Sequence, residues 1–272
     1  MTHYAGIDIG STYTKAVVVA EDGEVVGRAL RRTGYRLAEA AQSAFDEALA
    51  GTGLEPGEVA YVTTTGTGRF QFAARQLNVT DLTAAVWGAC FLYPGTRTIL
   101  DVGGQTMKVS RTDGRGTVIS FRLNDKCAAG TGAFLEKTAG YMGFSTQEIG
   151  PLAATSREEV PISGVCAVFA EAEVINHLSQ GVAPADIMQG AITSLVSRSV
   201  QLMKRAKMEP EFTLIGGILR FESMASVLAD ALGGDAHVPP PEEVQDVLAL
   251  GAALAGRHRH RVASAGRRIT VS

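Results

Sequence analysis

The stretch AGIDIGSTYTK, residues 5–15, returns later in the chain as TILDVGGQTMK, residues 98–108. Each copy has an Asp, a Gly two residues on and a Lys seven residues on, and the copies are 93 residues apart. In both copies an apolar run ends at the Asp (Asp8 or Asp101), small residues follow, and an alternating run begins. This is the pattern of a β-hairpin. A repeat on this scale predicts two related lobes.

Each hairpin is followed by a third strand and an amphipathic helix, so each lobe is predicted to be strand–strand–strand–helix. The predicted strand and helix cover residues 24–30 and 37–50 in the first copy, and residues 116–123 and 132–142 in the second. The fold class is therefore α/β, with two duplicated lobes.

The predicted domain boundaries follow this repeat. The first lobe covers residues 1–95 together with a C-terminal helix at 242–256, and the second lobe covers residues 96–241. Residues 257–272 contain five Arg and no acidic residue, so we expect a frayed, solvated basic tail there.

Composition excludes several classes of function. Hydrophobic residues make up 46% of the 272-residue chain, charged residues make up 19%, and the formal net charge is −3. These values are typical of a globular protein. No basic stripe indicates nucleic acid, and no uncharged apolar run reaches the ~18 residues of a membrane span. Three Cys and no signal peptide favour the cytoplasm without a structural disulfide.

The two repeated loops have the chemistry of a nucleotide site. A carboxylate at a strand end can face hydrated Mg²⁺, and Gly, Ser and Thr let backbone N–H groups approach phosphate oxygens. The chain has no Gly-x-x-x-x-Gly-Lys-Ser/Thr run, and a hairpin rather than a helix follows the first loop, which disfavours a dinucleotide fold. A later strand, residues 212–215, ends in Gly216-Gly217 before a predicted helix, where the backbone can approach a base and ribose.

Two cysteines, Cys127 and Cys166, each lie where a Gly-containing stretch opens a predicted helix. The helix dipole there lowers the thiol pKa and favours the metal-binding thiolate. A [4Fe–4S] cluster usually takes four thiolates, so two chains in a symmetric dimer would supply them. The alternative is two inert, buried cysteines, as we expect for Cys90. The predicted buried face after Cys166 consists of Val168, Phe169, Ala172 and Ile175.

With these motifs the sequence resembles the BadF/BadG/BcrA/BcrD ATPase family of 2-hydroxyacyl-CoA dehydratase activators and benzoyl-CoA reductase ATPase subunits. The resemblance extends from Gly6 to about Gly256 and is carried by GIDIGST (6–12), TGTGR (65–69), DVGGQ (101–105), NDKCAAGTG (124–132), CAVFAE (166–171) and Gly216-Gly217. The chain departs from the family at Thr106, where many members have Asp, at Ala172, where Ser is common, and after Gly217, where an Asn is common.

The resemblance implies an actin-like ATPase fold, shared with acetate kinase, sugar kinases, Hsp70 and actin, with the lobes around a nucleotide cleft. It implies a homodimer or a paralogous heterodimer that shares one [4Fe–4S] cluster through Cys127 and Cys166 of each subunit. ATP hydrolysis would change the angle between the cluster-flanking helices. A low-potential electron, received from a ferredoxin or flavodoxin, would pass to a partner benzoyl-CoA reductase or 2-hydroxyacyl-CoA dehydratase.

The resemblance also implies roles for individual residues. Asp8 and Asp101 would flank Mg²⁺ and the phosphates of ATP, and Gln105 would sense the γ-phosphate or position water. The residues expected to contact phosphate are Gly10, Ser11, Thr12 and Lys15 in the first lobe and Gly103, Gly104 and Lys108 in the second. The residues expected to line the nucleotide are Gly130, Thr131, Gly132, Glu136, Gly216 and Gly217.

Two other classes of function use the same loops. A small-molecule kinase of this fold needs a carboxylate base, for which Asp125 is the candidate. A nucleotide-gated interaction protein would bind ATP without iron. The segments around Cys127 and Cys166 weigh against both.

Overall fold

A computed structural model describes residues 2–124, 130–163 and 167–269 of the chain. The chain divides into two compact units. Unit 1 comprises Met1–Gly95, Asp113–Val118 and Gln245–Ser272, and unit 2 comprises Thr96–Thr112 and Ile119–Val244.

Unit 1 is built on a five-stranded mixed sheet with the order β3-β2-β1-β4-β5. Strand β1 pairs antiparallel with β2 and parallel with β4, and the first pairing sets Asp8 opposite Lys15. The strands are β1 His3–Ile9, β2 Tyr13–Val19, β3 Val25–Arg32, β4 Val59–Thr65 and β5 Leu77–Asn78.

Helices cover both faces of this sheet, because alternate residues of β1 point to opposite sides. Helix α1 (Leu37–Ala50) buries one face, with Phe45 packed among Ile7 and Ile9. Helices α2 (Asp81–Leu92) and α8 (Val247–Ile269) contact each other, and α8 packs its Ala- and Leu-rich start on the opposite face. The predicted helix at residues 37–50 is thus confirmed.

The structure differs from our expectation of a frayed tail from residue 257, because α8 continues as a helix whose next turns contact the strands of unit 1. The Tyr4 hydroxyl donates to Glu21 Oε2 over 2.8 Å, and Arg261 Nε donates to Glu21 Oε1 over 2.7 Å. The His260 ring lies 5.7 Å from the Tyr4 ring. Burial and the hydrogen bond to Glu21 raise the pKa of Tyr4 to about 12.

Unit 2 repeats the strand order of unit 1. Its sheet has the order β8-β7-β6-β9-β10, with β6 antiparallel to β7 and parallel to β9. The strands are β6 Thr98–Val102, β7 Met107–Thr112, β8 Val118–Asn124, β9 Phe212–Ile215 and β10 Ala236–His237. The predicted duplication is therefore confirmed.

Among the described residues, four α-helices separate β8 from β9, and a fifth follows β9. They are α3 Gly132–Tyr141, α4 Ile149–Ala153, α5 Ala167–Ser179, α6 Pro184–Arg205 and α7 Glu222–Ala231. The core of unit 2 joins the sheet to these helices, with Leu100, Phe134 and Ile192 fully or almost fully buried. Within the described residues, no helix combines the length and apolar character needed to cross a bilayer.

The predicted buried face of α5 is wrong. Val168, Phe169 and Ile175 are 68%, 64% and 51% exposed, while the buried residues of the helix are Ala170 and Val174. The small side of α5 packs into unit 2, and its large apolar side chains point away from that core.

Candidate nucleotide-binding loops

The loop after β1 in unit 1 holds a buried carboxylate beneath an open tip. Asp8 is only 3% exposed, and Lys15 Nζ donates to its Oδ2 over 2.9 Å. The Gly10 N–H donates to the Tyr13 carbonyl over 3.2 Å, which closes the turn. Ser11 at the tip is exposed. The charge of Asp8 is therefore held at the strand end while the tip stays open to a ligand.

The loop after β6 in unit 2 has the same design 93 residues later. Asp101 is 6% exposed, and Lys108 Nζ lies 3.6 Å from its Oδ2. The Gly103 N–H donates to the Thr106 carbonyl over 2.9 Å, as Gly10 does in unit 1. Gln105 at the tip is exposed. The structure thus brings each predicted Asp and Lys together within its own loop.

A glycine packs against each of these aspartates from the neighbouring parallel strand. Gly66 follows β4 with φ +86°, and Gly216 follows β9 with φ +102°. A Cβ at position 66 would lie 2.5 Å from Asp8 Oδ1, and one at position 216 would lie 2.8 Å from Asp101 Oδ1. Both positions therefore need glycine for backbone conformation and for space.

The sequence alone assigns no role to Gly66, although this residue lies in the TGTGR segment that contributes to the family resemblance. Gly66 is 58 residues after Asp8, whereas Gly216 is 115 residues after Asp101, so the second half of the repeat is out of register. A signal was present, because each glycine directly follows the strand that pairs parallel with the Asp-bearing strand.

Helix α3 begins against the Gly103-Gly104 loop of unit 2. The N–H groups of Gly132 and Ala133 donate to the carbonyls of Gly103 and Gly104 over 3.0 and 2.8 Å. A Cβ at position 132 would lie 3.4 Å from the Gly103 oxygen, which is close to ordinary van der Waals contact, so this approach does not by itself require glycine. The remaining predicted lining residues adjoin this start or the Gly216 turn: Gly130 and Thr131 are buried, Glu136 is half-buried, and Gly217 opens a short 3₁₀ turn.

Helices α3 and α5 are joined by a carboxylate. Glu171 on α5 accepts from Lys137 Nζ over 2.8 Å and from the Tyr141 hydroxyl over 3.0 Å, both on α3. The Lys137 hydrogen bond holds the pKa of Glu171 below its usual value. Glu173, two residues further along α5, accepts from the Ser163 N–H over 2.5 Å. Sequence reasoning missed both glutamates as structural ties.

The two candidate cluster ligands, Cys127 and Cys166, and the alternative base Asp125 lie outside the described residues. Across residues 2–124, 130–163 and 167–269, no group of three His, Cys, Asp or Glu side chains is placed to hold a metal ion. Cys90 lies on α2 and is half-buried rather than fully buried.

Known proteins match this sequence over nearly the whole chain. The activator of lactoyl-CoA dehydratase from Anaerotignum propionicum is 36% identical over 249 residues, covering 92% of this chain and 95% of that protein. A benzoyl-CoA reductase subunit from Thauera aromatica is 32% identical over 271 residues, covering 96% and 95%.

Solved structures give the same result. The activator of 2-hydroxyisocaproyl-CoA dehydratase from Clostridium difficile, with bound ADPNP, matches with a TM-score of 0.90 at 33% identity, covering 97% of this chain and 98% of that one. A ROK family glucokinase from Streptomyces griseus matches with a TM-score of 0.55 at 17% identity, covering 94% and 99%, which shows the shared fold alone.

These comparisons confirm the predicted actin-like, two-lobed α/β fold. The model of one family matches residues 5–256, and the relatives above include a dehydratase activator and a reductase subunit. The chain is an ATPase that belongs to the BadF/BadG/BcrA/BcrD ATPase family.

Proposed function

We propose that this ATPase is the electron-transferring subunit of an acyl-CoA dehydratase or reductase system, with a [4Fe–4S] cluster held by Cys127 and Cys166. The observation that carries the proposal is the pair of hydrogen bonds from the first turn of α3 to the Gly103-Gly104 loop. Helix α3 begins five residues after Cys127. A nucleotide that moves the loop therefore moves the helix that follows the cysteine.

The two loops fit Mg²⁺ and ATP by their chemistry. Mg²⁺ prefers oxygen ligands and keeps several waters, which suits the buried carboxylates of Asp8 and Asp101. Lys15 and Lys108 already lie beside these carboxylates, where a cation can also meet a phosphate oxygen. Exposed Gln105 is then the residue that orients the attacking water or senses the γ-phosphate. Gly10, Ser11, Thr12, Gly103 and Gly104 supply the backbone and hydroxyl contacts to phosphate, and Gly130–Gly132, Glu136, Gly216 and Gly217 line the rest of the nucleotide.

Two features support a cluster shared between two chains: the number of cysteine thiolates and the exposed apolar face of α5. A [4Fe–4S] cluster takes four thiolates, and two chains that each give Cys127 and Cys166 provide that number. When bound, it supplies a one-electron carrier. The exposed apolar residues Val168, Phe169 and Ile175 on α5 follow Cys166 closely and offer a surface for a second copy or a paralogue.

The hydrogen bonds of Glu171 provide a physical link between the two helices that follow the cysteines. It joins α5, which follows Cys166, to α3, which follows Cys127, through Lys137 and Tyr141. A shift of α3 driven by the nucleotide loop is therefore carried to α5. Both helices that follow the cysteines respond together, which is what a change in the surroundings of a shared cluster requires.

The proposed electron acceptor is an acyl-CoA enzyme, and the proposed donor is a ferredoxin or flavodoxin. The named relatives include an activator of a 2-hydroxyacyl-CoA dehydratase and a subunit of benzoyl-CoA reductase, so either class of acceptor fits. Adding each purified acceptor separately to the reduced chain distinguishes them. The true acceptor gains electrons only with ATP present and accelerates ATP hydrolysis.

The cluster assignment is tested by anoxic purification and analysis of iron and acid-labile sulfide. We expect a brown protein with about four iron atoms per two chains. Cys127→Ala and Cys166→Ala are each expected to lose this iron, while the matched control Cys90→Ala keeps it. A colourless wild-type chain that phosphorylates a small molecule would instead identify a kinase. Full iron in either Cys127→Ala or Cys166→Ala would reject the ligand assignment.

A further inference from the structure

Unit 2 contains a pocket of about 650 Å³ that no part of the proposed ATPase cycle uses. It lies against α6, the end of β8 and the 159–162 loop. The described residues that line it include none of the loop residues at 101–106, 130–132 or 216–217. Its volume is within the range of small-molecule binding sites.

Helix α6 contributes a polar wall to the pocket, although residues at this spacing on a helix usually form an apolar face. Ser194, Arg198, Gln201 and Arg205 follow one another at intervals of three or four residues, Ser197 is adjacent to Arg198, and all five line the pocket. Residues at this spacing share one helix face, and such a face is normally apolar where it meets the rest of a domain. The polar stripe is therefore placed toward a cavity rather than a packed core.

Ser194 indicates that the pocket takes a polar occupant. Its side chain lines the pocket, the residue is only 8% exposed, and its hydroxyl has no hydrogen-bond partner among the described residues. A buried hydroxyl without a partner is unfavourable, and native proteins satisfy such groups with protein, water or ligand atoms. A ligand acceptor atom in the pocket would complete this bond.

The loop on the other side of the pocket is held against α6 by hydrogen bonds and close packing in the ligand-free chain. Asp186 in the first turn of α6 accepts from Ser156 Oγ and from the N–H groups of Arg157 and Glu158, at 2.9, 2.8 and 3.1 Å. A Cβ at Gly190 would lie 1.9 Å from the Val160 carbonyl, so the loop rests directly on the helix. A preformed wall lowers the ordering cost of binding.

We propose that this pocket binds a small organic anion, a carboxylate or phosphate on an apolar body the size of one ring. Among the described lining residues, Arg198 and Arg205 outnumber the one carboxylate, Glu159, so this part of the lining is net positive. Arg binds both anion types through its planar fork. Met107, Leu123 and Ile162 give the apolar surface for the body of the ligand.

The position of the pocket gives binding a consequence. Asn124 and Ile162 line it, three residues before Cys127 and four residues before Cys166. A bound anion would therefore contact the residues that lead into both cysteine segments. We expect it to change the rate of electron transfer, an effect that rests on the proposed function, whereas the binding site itself does not.

Isothermal titration calorimetry on the anoxically purified full chain, saturated with Mg²⁺ and ADP to fill the nucleotide site, tests the proposal. The probes are phenyl phosphate, benzoate and, as a neutral ligand of similar size, benzyl alcohol. We expect one site per chain for at least one anion, with benzyl alcohol binding at least about tenfold more weakly. Which anion binds more tightly identifies the headgroup.

Variants locate the site. Ser194→Ala is expected to raise Kd about three- to tenfold while the unfolding temperature of the ligand-free chain is unchanged or higher, because the hydroxyl has no partner to lose. Arg205→Gln is expected to raise Kd about tenfold. Lys204→Gln removes the same charge from the neighbouring position of α6, outside the pocket lining, and is expected to leave Kd within about twofold.

Four results would overturn the proposal: no saturable binding of either anion, equal binding of benzyl alcohol, equal effects of Lys204→Gln and Arg205→Gln, or unchanged Kd in Ser194→Ala. None of these measurements uses iron or ATP hydrolysis. A failure here therefore leaves the proposed electron-transfer role standing, and loss of that role leaves this test intact.

Discussion

Unit 1 and unit 2 have the same sheet topology and the same Asp-bearing loop, but they differ in the segment between that loop and the glycine, Gly66 or Gly216, that packs against the Asp. Unit 1 has 58 residues from Asp8 to Gly66, and unit 2 has 115 from Asp101 to Gly216, a difference of 57. One helix, α1, separates β3 from β4, whereas α3 to α6 separate β8 from β9. Both cysteine segments fall in this longer stretch of unit 2.

The loops also differ in what they are bonded to. In unit 1 the Thr12 carbonyl accepts from the N–H of Thr33, at the end of β3, over 3.0 Å. In unit 2 the Gly103 and Gly104 carbonyls accept from the first turn of a helix, α3. The comparison teaches that the loops after β1 and β6 are a feature of both units, and that, among the described residues, only in unit 2 is this loop bonded to an additional helical segment.

The largest effect that tests this shared design is expected from Gly66→Ala and Gly216→Ala. A Cβ at either position would meet the adjacent Asp carboxylate and the carbonyl after it within 2.8 Å. Displacing a catalytic carboxylate by about 1 Å can cost about a hundredfold in rate, so each variant is expected to lose ATP hydrolysis on that scale. Steady-state ATPase assays measure this.

Gly53→Ala in unit 1 and Gly143→Ala in unit 2 are the matched controls. Both glycines have positive φ, at +73° and +83°, with open space where a Cβ would stand. They are expected to lose about 1 kcal/mol of stability and to keep their ATPase activity. Equal loss of activity in controls and test variants would mean that backbone strain, not the aspartate, is responsible.

Removing the lysine from each Asp–Lys pair is expected to lower the free energy of unfolding by different amounts. Lys15→Met removes a 2.9 Å hydrogen bond to a buried carboxylate and is expected to cost about 2–3 kcal/mol. Lys108 lies 3.6 Å from the similarly buried Asp101, beyond hydrogen-bond distance, so Lys108→Met is expected to cost less, about 1–2 kcal/mol. Urea denaturation of the nucleotide-free protein compares them, and a larger loss for Lys108→Met would reverse the order we infer.

The sequence predicted the parts of this comparison that depend on short-range patterns. The strand at 212–215 and the helix at 37–50 were located to the residue, because apolar periodicity and turn residues bound them closely. The hairpins were predicted, whereas the Asp–Lys pairs that their register produces were not. The exposed face of α5 was not predictable, because periodicity identifies an apolar stripe but not whether the chain itself or another molecule covers it.

The contacts of the site that join residues far apart in the sequence could not be predicted. The bond from α3 to the Gly103-Gly104 loop and the contact of Gly66 with Asp8 join residues 29 and 58 positions apart. The helical continuation of α8 likewise depends on Glu21, which lies 240 residues from Arg261. A local pattern of Arg and His does not show such a partner.

A smaller effect is expected from Glu171→Gln, which weakens the tie specific to unit 2. The side chain of Glu171 is 20% exposed and that of Lys137 is 59% exposed, so solvent screens part of the pair. The unfolding temperature should fall only modestly, whereas amide exchange in α5 should rise. Because the pKa of Glu171 is lowered, its pairing contributes above the ordinary pKa of Glu and is lost as pH falls through the lowered value. Glu47→Gln, which breaks the exposed pair with Arg31 in unit 1, is the control and should leave α5 unchanged.

The smallest effect is expected from Glu21→Gln, at the docking of α8 on unit 1. Burial works to raise the pKa of Glu21, but hydrogen bonds from Tyr4 and Arg261 outweigh it and hold that pKa below its usual value. The neutral amide keeps part of this network, and solvent screens the rest. We expect a loss of about 0.5–1 kcal/mol in thermal denaturation. No loss at all would mean that the apolar start of α8 alone anchors the helix.

Hydrogen–deuterium exchange with ADPNP and with ADP tests most directly whether unit 2 alone passes the nucleotide state to a helical segment. Peptides from α3 and α5 report the segment bonded to the loop, and peptides from α1 report its counterpart in unit 1. The account predicts that exchange in α3 and α5 differs between the two nucleotides while exchange in α1 does not. Identical exchange in α3 and α5, or an equal difference in α1, would contradict it.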